Sequence, residues 1–331
     1  MWLADTFEPS KWEFYFQSLP RFVVAGVLQG LILAVIALAF VLIYRTTEIV
    51  NFAQGDFMAI SIFSMLVISD FLGPKTGAFG AAEPGILPLF WAWAAAAVLT
   101  ILLMVIVSVV FDLAIFRSLT GQSPLAVVIV TIALGFIIRN ALDVIVKPSA
   151  AASVKFPLPQ RYSFDLGIVN INIAQIAVLV CVPLLLWGMV AFLNRTKVGL
   201  AVQAASQNQM AAYYMGIPVP RLNTIVWGIG GALTACAGIL FALNDTERVN
   251  SAIGLTLQGG ILAYAAAIAG GFGSISGAII TAILLGLAHQ LIQGMPGVPS
   301  FIGANASILF LLAVLVFRPD GLVPQTAAKK V

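Results

Sequence analysis

Charge is what this sequence has least of. Asp, Glu, Lys and Arg make up 9% of its 331 residues, whereas 61% are hydrophobic and the mean hydropathy is +1.06. A soluble domain carries roughly 25% charged and 45–50% apolar residues, so a water-soluble fold is excluded. Histidine is nearly absent. His289 stands in an apolar run with no second His, Cys or carboxylate at ligand spacing, which excludes a metal site. It reads as a polar contact between helices, with a proton relay as the lesser alternative. The only cysteines, Cys181 and Cys236, both lie in apolar runs and read as small core residues, not as a disulfide or metal pair. No basic tract exists and the net charge is only +3, so nucleic acid is not an expected partner. The phosphate-binding pattern G-x-x-x-x-G-K-[ST] is missing as well, since "GPKTG" at 73–77 has the wrong spacing.

What is present is a series of long apolar runs. At about 20 residues per crossing, they predict spans at 22–44, 51–71, 88–114, 125–146, 168–193, 222–243, 252–271, 276–293 and 301–317. The runs lack the short alternating pattern of a barrel. The expected fold is an all-α integral membrane protein: a polytopic bundle of about eight to nine transmembrane helices with broken or re-entrant elements and an internal repeat. Residues 1–21 carry Asp5, Glu8 and Glu13 and no basic start, so they are not expected to be a secretory signal. Trp2, Trp12, Phe14, Tyr15 and Phe16 suggest instead a segment at the membrane interface, or else a frayed tail. A single transmembrane domain is then expected over 22–318, with a loop at 194–221 and a C-terminal tail at 319–331.

Basic residues divide almost evenly between the two sides of a nine-span topology, so they orient it only weakly. With the C-terminus inside, Arg45, Arg117, Arg195, Lys197, Arg221 and Arg318 are cytoplasmic. Within the spans, Arg139 and Asp143 stand four apart and read as an ion pair on one helix. Asp112 and Arg117 read as a helix end leaving the membrane. Asp56 has no basic residue at helical spacing in its own span.

Two polar interruptions stand out: "NFAQGD" at 51–56 and "GGFGS" at 270–274. Each precedes an apolar helical run. Glycine-interrupted segments in two parts of a chain point to a transporter's pathway, because exposed backbone groups at membrane depth are tolerated only where they line a cavity or are buried in protein. In this reading Asp56 and Ser274 cap half-helices, Asn51 and Gln54 satisfy freed backbone groups, and Gly55, Gly270, Gly271 and Gly273 make the breaks. The alternative is that these glycines only let helices pack closely. Both remain open at this point.

Residues 194–221, "NRTKVGLAVQAASQNQMAAYYMGIPVPR", are too polar for a span and too regular for a plain loop. Good helix formers run from Gly199 to Met215, Gly216 can stop the helix, and Pro218 and Pro220 forbid its continuation. This stretch resembles the coupling segment of ABC importer permeases, with Ala204, Ala205 and Gly216-Ile217-Pro218 in the matching places and Gly199 near its start. Among these it is most similar to the LivH-type permeases of branched-chain amino acid importers. "GLILAVIALAFVLIYRTTEIVNFAQGDFMAI", "GGFGSISGAIITAILLGL" and the terminal "FRPDGLVP" agree, in the expected order.

The resemblance implies a non-catalytic permease subunit of the bacterial inner membrane, with its C-terminus cytoplasmic. It implies a LivM-like second permease, two ATP-binding subunits that hold ATP and Mg, a periplasmic substrate-binding protein, and no cofactor in this chain. The cargo implied is a branched-chain or hydrophobic amino acid or a related small solute. Relatives often carry Arg after the glycine and more charge in this helix, where Leu200, Gln203, Gln207, Asn208 and Gln209 stand here. Docking through packing and neutral hydrogen bonds is therefore expected. A self-sufficient secondary transporter or channel is the competing reading, weakened by the lack of a carboxylate or histidine chain beyond Asp56 and His289.

Overall fold

A computed structural model describes residues 9–72, 86–119, 121–146, 163–165, 170–244, 252–271, 273–318 and 321–323. It begins with α1 (Pro9–Thr47) and α2 (Gln54–Leu72). Next comes α3 (Ile86–Phe111), carried on by a π turn (Asp112–Phe116) and a last helical turn (Arg117–Leu119). After α4 (Pro124–Val146), a small antiparallel ribbon pairs β1 (Ser163–Asp165) with β2 (Asn170–Asn172). The chain then forms α5 (Ile173–Arg195), α6 (Lys197–Gln207), α7 (Gln209–Tyr214), α8 (Val219–Asn244) and α9 (Ala252–Ala269). It ends with α10 (Ile275–Gly294), α11 (Ser300–Ala304) and α12 (Ala306–Phe317).

Among the described residues six helices are long and apolar enough to cross a membrane, namely α1, α3, α4, α5, α8 and α10, while α2 and α9 contribute shorter apolar stretches. The protein is thus a helical, multi-pass membrane protein. The connection between the spans predicted at 125–146 and 168–193 lies outside the described residues except for β1, as does most of the tail expected at 319–331.

α1 is the centre of the bundle. A helix that is apolar all round has no face to offer water and is buried, and every residue from Gly30 to Ile43 is buried here. α10 runs antiparallel to it at backbone contact. A Cβ on Gly30 would come within 2.6 Å of Ile283 Cα, and one on Gly286 would strike the Gly30 backbone. Small residues at a crossing let two backbones approach in this way where lipid gives no hydrophobic drive. α8 is the second mostly buried span, while α3, α4 and α5 turn much of their apolar surface outward. Cys181 on α5 is among the exposed residues, not a core residue, and both cysteines are free.

The N-terminal stretch differs from the expected separate segment. From Pro9 it is continuous with the first span, and Tyr15 is buried, donating from its hydroxyl to Leu291 O at 3.1 Å. Tyr15 and Phe22 stack within α1 with centroids 5.6 Å apart, and the Phe22 ring lies against Gly294 of α10.

Candidate functional site

The 51–56 break lies deep in the bundle. α1 ends at Thr47, Glu48 takes a left-handed φ of 57°, and α2 starts only at Gln54. Its neighbours there are the middles of other helices. A Cβ on Gly260, halfway along the 18-residue α9, would meet Gly55 Cα at 2.6 Å. One on Gly135, the central residue of the 23 in α4, would strike Asp56 Oδ2.

Side-chain polarity closes this break. Asn51 Oδ1 accepts from the Ala53 N–H at 3.0 Å, and Asn51 Nδ2 donates to Gln54 Oε1 at 3.0 Å. Gln54 Nε2 in turn donates to Thr234 Oγ1 on α8, and that hydroxyl donates to Gly230 O at 2.8 Å. All of these side chains are buried. The relay satisfies donors and acceptors that would otherwise cost about 1–3 kcal/mol each in an apolar setting.

Asp56 does not cap α2 as expected. It already lies within the first turn, and the Asn51 side chain meets only the Ala53 N–H ahead of the helix. The Asp56 carboxylate pairs instead with Arg139 of α4, Nε to Oδ1 at 3.1 Å and Nη2 to Oδ2 at 3.3 Å. Arg139 reaches back one turn toward Gly135 to make this contact; the expected Arg139–Asp143 pair falls on a side chain outside the described residues. Helical side chains lean toward the N-terminus, which is why residue 139 covers the level of residue 135. The guanidinium also lies 5.2 Å from the Phe136 ring centroid.

The second break is built otherwise. Gly271 and Gly273 have φ of 94° and 89°, values that an L side chain rarely adopts. Ser274 Oγ caps α10 by accepting from Gly277 N–H at 3.1 Å. Gly270 and Gly277 are in backbone contact, and Leu322 N–H donates to Ala269 O at 2.7 Å. Gly321 sits on Gly271, where a Cβ would come within 2.5 Å of its nitrogen. Main chain seals main chain here, and the partner is the "FRPDGLVP" segment.

The 194–221 region forms an elbow of two helices where one was expected. Asn208 breaks it with an extended backbone, and its Oδ1 caps α7 by accepting from Ala211 N–H at 2.9 Å. An Asn side chain competes with the helix backbone in this manner. Thr196 caps α6 through Gly199 N–H at 2.9 Å, and Gly199 lies on the last turn of α5, where a Cβ would strike Phe192 O. Gly216, at φ 87°, ends α7, with Gly216 N–H to Tyr213 O and Ile217 N–H to Ala212 O, both 3.0 Å. That pair is the Schellman stop. Ile217 is half-buried, Pro218 and Ala204 are exposed, and Ala205 is buried.

Of the neutral residues expected to dock, Leu200, Gln207 and Asn208 are exposed, whereas Gln203 and Gln209 face inward. Gln203 Nε2 donates to Leu193 O at 2.8 Å, and Gln209 Nε2 donates to Thr46 O at 2.7 Å. Arg45 Nη2 reaches Ser206 Oγ at 3.4 Å. Met210, Tyr213, Tyr214 and Met215 remain as the outer face, Met215 being 84% exposed. Beyond the elbow, Asp112 of the π turn accepts from Thr224 Oγ1 at 2.6 Å. One turn on, Phe116 stacks on Trp227 with centroids 4.1 Å apart.

An elbow tied to α1, α5 and α8, beside a polar core in a helical membrane bundle, is the setting in which comparison with known proteins becomes informative. The family described as "Branched-chain amino acid transport system / permease component" matches residues 22–318. The chain belongs to that family. The permease is 27% identical over 327 residues to the high-affinity branched-chain amino acid transport system permease protein BraD of Pseudomonas aeruginosa, covering 93% of this chain and 96% of the relative. It is 24% identical over 320 residues to the corresponding protein LivH of Escherichia coli K12, covering 92% and 96%. A further relative, the fructose import permease protein FruG of Bifidobacterium longum, is 24% identical over 238 residues, 67% of this chain and 66% of the relative. No solved structure matches it.

In the permease, then, Asn51, Gln54, Gly55 and Asp56 come together with Thr234, Gly260, Gly135 and Arg139, four residues that sequence reasoning had not joined to them. Gly270, Gly271, Gly273 and Ser274 form a separate locus. The available signal was that the spans hold a carboxylate and a guanidinium, each needing an opposite charge at depth.

Proposed function

We propose that this chain is the transmembrane subunit of an ABC importer, forming the path for a branched-chain or other hydrophobic amino acid, or a related small organic solute. ATP is hydrolysed by two separate subunits that hold ATP and Mg. A second, LivM-like permease completes the path, and a periplasmic binding protein delivers the cargo. The protein resides in the bacterial inner membrane with the elbow and C-terminus on the cytoplasmic side.

One observation carries the reading: the α6–α7 elbow presents Met210, Tyr213, Tyr214 and Met215 outward while binding α1 and α5 through Gln209, Arg45 and Gln203. Large apolar and aromatic side chains left exposed at a helix end are anchors for a partner. Force on them passes through Gly216 and Ile217 directly into α8. The two polar breaks lie on α2 and α10, within reach of the same central helix.

Co-purification with the ATPase subunits tests it. Replacing Tyr214 and Met215 by Ala is expected to weaken that association about tenfold or more, as truncated anchors do, with the permease itself still folded. Gly216→Pro, which cannot adopt the left-handed φ, is expected to abolish it. Cargo uptake into liposomes by this chain alone overturns the reading.

A further inference from the structure

The Asp56–Arg139 pair is asymmetric in a way that packing alone does not require. The Asp56 side chain is 4% exposed and that of Arg139 is 20% exposed. Gly135 opposite Asp56 is 11 residues from each end of α4, so the pair lies roughly 16 Å from either end at 1.5 Å per residue. That is the middle of a hydrocarbon core about 30 Å thick. The negative partner is therefore inside the chain and the positive one opens outward at the depth where lipid tails solvate it worst. Asp56 occupies two of the five N–H donors of the guanidinium. Phe136, 57% exposed, supplies an aromatic wall at the same level.

We propose that this face of α4 borders the water-filled route and that Arg139 binds the carboxylate of the passing cargo. Asp56 is its positioning residue: it holds the guanidinium fork toward the break of α2 while outward donors remain for a second carboxylate. Planar, bidentate recognition of carboxylate is what a guanidinium offers and an ammonium does not. Gly135 keeps the fork seated, since any side chain there displaces Asp56. The assignment rests on the chain being the permease of an importer.

The test uses the assembled complex in liposomes, with Cys181 and Cys236 replaced by Ala and Phe136→Cys as reporter. A charged, membrane-impermeant thiol reagent is expected to modify this cysteine. Modification only by an uncharged, lipid-soluble maleimide means the face meets lipid and overturns the proposal. So does modification by the charged reagent in the isolated chain but not in the complex, which means a subunit contact. In parallel, Arg139→Gln is expected to lower ATP-driven leucine uptake about tenfold or more. The exchange Asp56→Arg with Arg139→Asp rebuilds the pair with the cation inside, and uptake is expected to stay low. Wild-type uptake by that exchange variant makes the pair merely structural and overturns the proposal. Absence of ATP-driven uptake by the wild-type complex defeats the importer reading instead, and the thiol result does not depend on it.

Discussion

The two helix breaks look alike in sequence and are unlike in construction. At 51–56 the freed groups are met by side chains: Asn51 and Gln54 reach Thr234, and Asp56 reaches Arg139. At 270–274 the Ser274 hydroxyl caps one N–H, while the rest is main chain: Leu322 N–H donates to Ala269 O and Gly270 packs on Gly277. A side-chain seal can open and re-form as partners exchange, because each contact is a rotamer away from another. A main-chain seal tolerates no added atom and holds its geometry. The first can exchange partners, while the second holds one fixed joint.

Substitutions sharpen this contrast. The largest effect is expected for Asp56→Ala, which leaves the partly exposed Arg139 cation without its partner at membrane depth and costs about 3 kcal/mol. Equilibrium unfolding of the purified permease checks it, and Asp56→Ala combined with Arg139→Leu is expected to recover most of the loss. Equal stability of the single and double variants would break the electrostatic account. Next, Gly277→Ala places a methyl group on the Gly270 carbonyl and is expected to cost about 3 kcal/mol, with no side-chain partner able to rescue it. Gln54→Ala follows, at about 1–3 kcal/mol for the orphaned Thr234 and Asn51 groups, whereas Thr234→Ser is expected to be nearly neutral. Smallest is Ser274→Ala, about 1 kcal/mol for a lost cap. If Ser274→Ala cost more than Gln54→Ala, the division between side-chain and main-chain seals would fail.

Much of the architecture was legible in the sequence because it depends on local composition. Each apolar run from 22 onward coincides with a helix, and 301–317 with two, broken at Asn305. The stop at Gly216 and the cap at Ser274 were readable too, since both involve residues within five positions of each other. One expectation failed. Asp56 was expected to cap a half-helix, which concerns its nearest neighbours in sequence, and Arg139 was not joined to it. Their true contact spans 83 positions and depends on how α2 and α4 are rotated against each other. The elbow shows a smaller version: Gln203 and Gln209 sit on a polar helix and suggest an outward face, yet the ends of α5 and α1 lie close enough to claim them.

The sequence by itself determined that this chain resides in a membrane, that it does so as helices, and where those helices must break. Low charge, long apolar runs and glycine or proline at fixed points act through partitioning and backbone preference, which need no neighbours. Only the tertiary structure decided which buried charge meets which, which glycines touch, and that the terminal "FRPDGLVP" closes the second break. Those outcomes follow from the depth and rotation at which helices pack. In a bundle with little hydrophobic drive between spans, small residues at close crossings and the Asp56–Arg139 pair help set that packing.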